Sequence, residues 1–261
     1  MKRILPFDKY EATGNDFIIL DFFEFENIDL ENKELIRKLC DRHFGIGADG
    51  LIALQRENNF DFRMRYFNSD GNLSSFCGNG SRASLKYMAT KHPQQVFSFI
   101  AEDGNHEGKL ISDLVSVKMK NISNYQKHNL GIIVDSGSPH LIIQVNDPWD
   151  YPVISEGRQL RDQFGIEGIN VNFVSFTNDK IRIATYERGV ESETLACGTG
   201  VTAAAYYKSI IDDRDGLFDF DVEAKGGLLN VSLDKTDRSA TNIWLSGQAN
   251  RVFSGFYDLD S

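Results

Sequence analysis

Two cysteines stand in the same four-residue setting, Cys77-Gly-Asn-Gly80 and Cys197-Gly-Thr-Gly200. Each tetrapeptide opens a run of small and apolar residues that reads as a helix, from Gly78 to Met88 and from Cys197 to Ile210. A cysteine at a helix start meets backbone N–H groups with no partner inside the helix, and the positive end of the dipole. Both favour the thiolate and lower the thiol pKa from ~8.5 towards neutrality. The glycines let a ligand come close to the backbone, where the same N–H groups can hold a carboxylate.

The two settings belong to a longer repeat. Shifted by 120 residues, Phe62 to Ser84 lies over Arg182 to Ala204 without a gap. Tyr66 then meets Tyr186, Cys77 meets Cys197, Gly80 meets Gly200 and Ala83 meets Ala203. Each copy is a strand, a polar loop, Cys-Gly-x-Gly and a small-residue helix, which points to two related domains with one cysteine each. One such cysteine suggests a nucleophile. A duplicated pair suggests inversion of a stereocentre α to a carboxylate. That reaction needs a base on one face of a nearly planar intermediate and an acid on the other. A thiolate can take the proton and a thiol return one. The helix starts can stabilise charge developing on the carboxylate. This chemistry calls for no metal and no cofactor.

Other readings stay open at this point. A single cysteine is most often a small buried apolar residue, and Cys40, in the apolar stripe of a helix, is read that way. Zinc takes about four ligands, and neither Cys-Gly-x-Gly element offers a Cys-x-x-Cys pair or a nearby histidine. A redox-sensing or binding protein built on the same duplication would use Cys77 and Cys197 as a reversible disulfide.

The elements that must position these groups alternate between strand and helix. Strands are expected at Phe17–Leu20, Leu51–Leu54, Phe62–Phe67, Val96–Ile100 and Leu114–Met119, with a helix at Glu31–Cys40. The second half repeats the rhythm, with strands at Gly131–Val134, Leu141–Val145, Val171–Phe176 and Ile181–Tyr186 and a helix near Glu156–Phe164. The order suits an α+β or mixed-sheet fold. A polar stretch at Asn121–Lys127 marks a soft boundary. The length of 261 residues allows one large domain or two small ones at ~100–200 residues each. Apolar residues make up 41% and charged residues 25%, as in ordinary globular proteins. No apolar run nears the ~20 residues that span a bilayer, and the start of the chain has no apolar signal region. A cytoplasmic protein is expected. The formal net charge of −10 and the lack of a basic cluster argue against nucleic acid or a membrane surface as partner. Three cysteines are too few for a disulfide scaffold.

Nearly the whole chain resembles the diaminopimelate epimerase family, in order. The matching pieces are Thr13-Gly-Asn-Asp-Phe17, Asp41-Arg-His-Phe-Gly-Ile-Gly-Ala-Asp49, Phe67-Asn-Ser-Asp-Gly71 with Cys77-Gly-Asn-Gly80, Gly137-Ser-Pro-His140, Asn170-Val-Asn-Phe173, and Tyr186-Glu-Arg-Gly189 with Glu193-Thr-Leu-Ala-Cys-Gly-Thr-Gly200. Each is modest alone, and together they are specific. The resemblance implies two pseudo-symmetric domains, each a mixed β-sheet wrapped around a central helix, with the active site in a cleft between them. With the boundary at the polar stretch, the halves are 1–121, carrying Cys77, and 122–261, carrying Cys197, with the last strand able to return to the first half. The resemblance also implies Cys77 and Cys197 as the acid/base pair, no cofactor, and a homodimer. It gives Asn15, Asn68, Asn170, Glu187 and Arg188 to substrate binding, with Arg188 offering a fork for a carboxylate. Gly78, Asn79, Gly198 and Thr199 would hold the reacting carboxylate, and His140 and Glu187 would set the cysteine pKa values.

Two positions depart from the family pattern. Ser138 stands where asparagine is common; it keeps a hydroxyl and stays a substrate-binding candidate. Gly50 stands where some members have glutamine, and it has no side chain to offer. The implied reaction is LL- to meso-2,6-diaminopimelate, a step towards lysine and peptidoglycan precursors. Its nearest rivals are proline- or hydroxyproline-type racemases of the same architecture. The phenazine-isomerase branch does not rely on a cysteine pair, and this chain has both cysteines.

Overall fold

In the computed structural model, which describes residues 3–24, 28–177 and 180–260, Phe17-Ile-Ile-Leu20 is buried on both faces. It lies in β2 (Asn15–Asp21), between an antiparallel β1 (Ile4–Ala12) and a parallel β3 (Gly50–Gln55). A continuous apolar run is what a strand covered on both sides requires. Ile18 and Leu20 pack with Leu51 and Ala53 against Ile36, Leu39 and Cys40 of α1 (Lys33–Cys40). Phe17 and Ile19 pack with Ile52 and Leu54 against Ala83, Leu85 and Met88 of α2 (Gly78–Lys91). The period of two along the strand thus feeds two separate apolar layers.

The N-terminal unit continues with β4 (Phe62–Asn68), β5 (Leu73–Ser74), β6 (Val96–Ala101), β7 (Gly104–Ile111) and β8 (Leu114–Lys118). The second unit has β9 (Tyr125–His128), β10 (Gly131–Asp135), β11 (Pro139–Gln144), α3 (Val153–Asp162), β12 (Asn170–Thr177), β13 (Lys180–Glu187), β14 (Ser192–Thr194), α4 (Gly198–Ile211), β15 (Gly216–Ala224), β16 (Gly227–Thr236) and β17 (Ser239–Gly247). From β1 and from β10 the order is the same: two strands, a helix, three strands, a helix, three strands. Each series gains one further antiparallel partner, β18 (Asn250–Asp258) on β1 and β9 on β10. The chain divides into one unit that runs through Val117 and resumes at Gln248, and a second at Lys118–Gly247.

Each unit is a mixed sheet around its second helix. In α2, 10 of 14 residues are buried, and β1, β2, β3, β4, β7 and β18 all touch it. In α4, 9 of 14 are buried among β10 to β13 and β15 to β17. Glycine, alanine and serine keep these helices thin enough for strands to approach from several sides, and a helix buried all round has no polar face to show.

The sequence pattern gives no strand before Phe17, yet β1 forms there. Its pairing with β18 shifts register between Lys9 and Tyr10, and both of these residues are buried. The bulge breaks the period of two that would reveal the strand. Lys9 is 5% exposed and its ammonium pairs with Asp16 at 2.8 Å. The polar stretch at Asn121–Lys127 contains the start of β9.

Candidate functional site

In the N-terminal unit Cys77 is the N-cap of α2, with extended backbone, and its Sγ accepts the Gly80 N–H at 3.3 Å. The side chain closes onto its own helix start because the cap residue leaves first-turn donors within reach. Sγ also lies 3.9 Å from Asn15 Oδ1. The Asn15 amide is oriented by Asp49, whose Oδ2 accepts from Nδ2 at 2.7 Å. Its Oδ1 accepts from Asn79 Nδ2 at 3.3 Å. Asp49 and Asp16 are bridged by Arg42, at 2.6 and 2.8 Å. Burial raises the Asp16 carboxyl pKa, but the hydrogen bonds from Arg42 and Lys9 outweigh it and hold the group well below the usual range.

Beneath Asn79 sits Arg82, which is fully buried. Its Nη2 donates to Thr13 Oγ1 at 2.8 Å and to Asn79 Oδ1 at 2.9 Å. Its Nε and Nη1 have no hydrogen-bond partner among the described residues. Burial pulls the guanidinium down to about 10, against the opposing influence of Cys77 and Glu11, and it stays cationic at neutral pH. Asn68 is exposed at the end of β4, opposite Gly50 in register, and its side-chain amide bonds to none of the described residues. A Cβ on Gly50 would lie 2.5 Å from the Phe67 carbonyl oxygen, so the backbone there admits only glycine.

In the second unit Cys197 is the N-cap of α4 and is buried. Its Sγ is 3.4 Å from Thr199 Oγ1, which is 2.9 Å from His140 Nε2. His140 is fully buried in β11, and burial pulls its imidazole pKa down to about 3. On the same face Asn172 Nδ2 is 2.9 Å from His140 Nδ1, and Asn172 Oδ1 accepts from Thr185 Oγ1 at 2.9 Å. Strand alternation makes this possible. Val171 and Phe173 pack with Val153 and Leu160 of α3, so Asn170 and Asn172 face the other way. Ser136 Oγ donates to the Thr199 carbonyl at 2.8 Å.

Asn170 ties Ser138 to Arg188. Its Nδ2 donates to Ser138 Oγ at 2.9 Å and to the Pro139 carbonyl at 3.1 Å, and its Oδ1 accepts the Arg188 backbone N–H at 3.0 Å. The Arg188 guanidinium donates to the Glu167 carbonyl at 3.4 Å and makes no ion pair with the described residues. Glu187 Oε2 accepts from Thr194 Oγ1 at 3.0 Å.

The candidates thus fall into one hydrogen-bonded cluster in the first unit, Asn15, Cys77, Gly78 and Asn79, while Asn68 stands at the end of β4 with no side-chain bond to the described residues. The second unit brings together His140, Cys197, Gly198 and Thr199, with Ser138, Asn170, Glu187 and Arg188 grouped at the ends of β11 to β13. Sequence reasoning missed Arg82, Asn172 and Thr185. Asn172 was findable, because two residues beyond Asn170 in a strand is the same face. Arg82 carries no sequence signal; only its burial distinguishes it. Cys40 is buried in the apolar layer of α1, and that burial pushes its thiol up to about 12. Among the described residues no group of three or more His, Cys, Asp or Glu could hold a metal ion. No helix of the described residues is long and apolar enough to cross a membrane.

The family model of diaminopimelate epimerase matches residues 7–119 and 132–252. A diaminopimelate epimerase of Flavobacterium psychrophilum is 40% identical over 250 residues, which cover 94% of this chain and 97% of that one. One from a Hydrogenobaculum species is 34% identical over 279 residues, covering 97% and 98%. Among solved structures, a Bacillus anthracis phenazine biosynthesis protein of the PhzF family superposes with a TM-score of 0.77 at 14% identity, over 98% of this chain and 99% of that one. A hydroxyproline epimerase from Agrobacterium vitis gives 0.73 at 14%, over 100% and 95%. At such identities these two structures speak for the fold alone.

Proposed function

Since this chain belongs to the diaminopimelate epimerase family, we propose that it interconverts LL- and meso-2,6-diaminopimelate with Cys77 and Cys197 as the proton-transfer pair. The observation that carries the mechanism is the repeated cap: each unit sets one cysteine as the N-cap of its buried central helix. One thiolate removes the α-proton and the other thiol protonates the opposite face; the reverse reaction exchanges the roles. The N–H groups of Gly78, Asn79, Gly198 and Thr199 receive the reacting carboxylate, whose charge grows as the α-carbon loses its proton. Such a pair needs no metal or cofactor for the proton transfer.

Arg188 supports a diamino diacid over proline as substrate. Its guanidinium makes no ion pair with the described residues, which suits the carboxylate at the far end of diaminopimelate. Proline and hydroxyproline have no second carboxylate. Asn15 and Asn68 serve the substrate's polar ends. Asn170, with both polar atoms committed to protein, acts by holding Ser138 and Arg188. Glu187 and His140 set the surroundings of the cysteines. We place the enzyme in the cytoplasm as a homodimer, to be checked by cell fractionation and analytical ultracentrifugation.

The test is one NMR experiment. Freshly reduced protein is incubated with LL-diaminopimelate in D2O without added cofactor. Loss of the α-proton signal with appearance of the meso isomer is expected. If neither occurs with folded, reduced protein, the substrate assignment is wrong, and proline and hydroxyproline are tried next. Reversible Cys77–Cys197 disulfide formation with no α-proton exchange on any of them would favour a redox role.

A further inference from the structure

The repeat places different residues behind the last glycine of each Cys-Gly-x-Gly element. An ideal Cβ on Gly80 would lie 3.1 Å from Ile52 Cδ1, and one on Gly200 would lie 2.4 Å from Asn172 Oδ1. Ile52 and Asn172 are 120 residues apart, so they hold the same place in β3 and β12. Both are fully buried. Isoleucine satisfies the architecture in the first unit, and a buried amide carries a desolvation cost that isoleucine does not. Asn172 therefore serves something other than the fold.

Its hydrogen bonds say what. The Leu141 carbonyl can only accept, so the Asn172 atom 3.3 Å from it is the amide nitrogen. The other hydrogen of that nitrogen faces His140 Nδ1 at 2.9 Å, which must be bare to accept it. His140 then carries its proton on Nε2 and donates to Thr199 Oγ1 at 2.9 Å. Thr199 uses a lone pair there, which leaves its own hydrogen for Cys197 Sγ, 3.4 Å away.

The geometry points to Asn172 as a positioning residue that, by fixing the Nε2–H tautomer of His140, keeps the Thr199 hydroxyl donating to Cys197. This rests on Cys197 being a proton-transfer group and gives His140 the part of a neutral donor rather than a base. A sulfur that always receives this bond is eased towards thiolate. When it is a thiol, its hydrogen is not spent on Thr199 and stays available to substrate. The charged groups that act on the ring are Arg188, which disfavours imidazolium, and Asp135, which favours it; burial dominates both and keeps the ring neutral.

Histidine ring nitrogens of 15N-labelled protein test this directly, with His140 assigned by the signal lost in His140→Gln. The expected result is a bare Nδ1 and a protonated Nε2, unchanged from about pH 6 to about pH 9. Asn172→Asp, whose carboxylate only accepts, should bring a proton to Nδ1 and bare Nε2, turning the Thr199 hydroxyl away from Cys197 and moving Cys197 alkylation by iodoacetamide to higher pH. Asn172→Ile, which gives the second unit the residue of the first, should lose the single tautomer. Its kcat should fall about 10- to 100-fold while KM changes less. A protonated Nδ1 or a charged ring at neutral pH in the unsubstituted protein overturns the proposal, and so does an unchanged ring in Asn172→Asp. These readouts need no substrate. Absence of turnover by the unsubstituted enzyme would count against the proposed reaction and leave the tautomer measurement standing.

Discussion

Arg82 donates to the side-chain oxygen of Asn79 at 2.9 Å from one turn further along α2, and that bond decides which way the Asn79 amide faces. The amide nitrogen is thereby left for Asn15. The order Arg82 to Asn79 to Asn15 to Asp49 runs from a buried cation to a carboxylate, with both amides held in one orientation.

Arg82→Met separates the fold from this ordering. A buried guanidinium without a carboxylate partner adds little net stability, and an apolar chain of similar length fills its place. Urea unfolding is expected to shift by no more than about 2 kcal/mol. Losing the orientation of Asn79 should lower kcat/KM by about tenfold, the equivalent of one hydrogen bond. A large loss of stability with normal turnover per folded molecule would make Arg82 a structural residue only.

His140 makes stability depend on acid. Its pKa is lowered from 6.5 to about 3 by burial, so between these values the unfolded chain binds a proton that the folded one refuses. The contribution is complete above pH 6.5 and is lost as pH falls towards 3, at up to about 1.4 kcal/mol per pH unit. Urea unfolding at pH 7 and pH 5 should show this slope, and His140→Gln should flatten it. Equal slopes in both proteins would mean that the folded imidazole takes up a proton.

Much of this was legible in the sequence, for physical reasons that differ from residue to residue. The Cys-Gly-x-Gly spacing placed Cys77 and Cys197 at helix starts because glycine and small residues there are a local signal. The apolar run Phe17–Leu20 marked a strand buried on both faces for the same kind of reason. The strand β1 was not legible because a bulge at Lys9 and Tyr10 breaks its alternation. The resemblance gives Asn170 to substrate, and its side chain bonds Ser138, Pro139 and Arg188. Residue type shows that an amide can bond and leaves open to what. Arg82 was invisible because a buried cation held by a threonine and an asparagine has no pattern in the chain.

The two end glycines should respond differently to alanine. At Gly200 the new Cβ would lie 2.4 Å from Asn172 Oδ1, an atom held by Thr185. At Gly80 it would lie 3.1 Å from Ile52 Cδ1, the far end of a flexible side chain. Gly200→Ala should therefore lose more activity and stability than Gly80→Ala, with overpacking costs of about 1–3 kcal/mol at the worse site. Thermal unfolding and turnover of both variants check this. Equal losses would show that Asn172 yields as readily as Ile52.

The cysteine pair makes the sharpest demand on the proposed reaction. With Cys197→Ala, Cys77 can still take a proton from one face and return a deuteron from D2O to that face. One stereoisomer should then exchange its α-proton without inverting. With Cys77→Ala the other stereoisomer should do so. In both variants full epimerisation should fall by about 100-fold or more, because one proton-transfer group is gone. The two exchange patterns should be mirror images in substrate preference, which NMR in D2O reads directly from LL- and meso-diaminopimelate. Exchange of the same isomer by both variants would mean that the two cysteines do not address opposite faces. Full turnover surviving in either one would remove that cysteine from the mechanism.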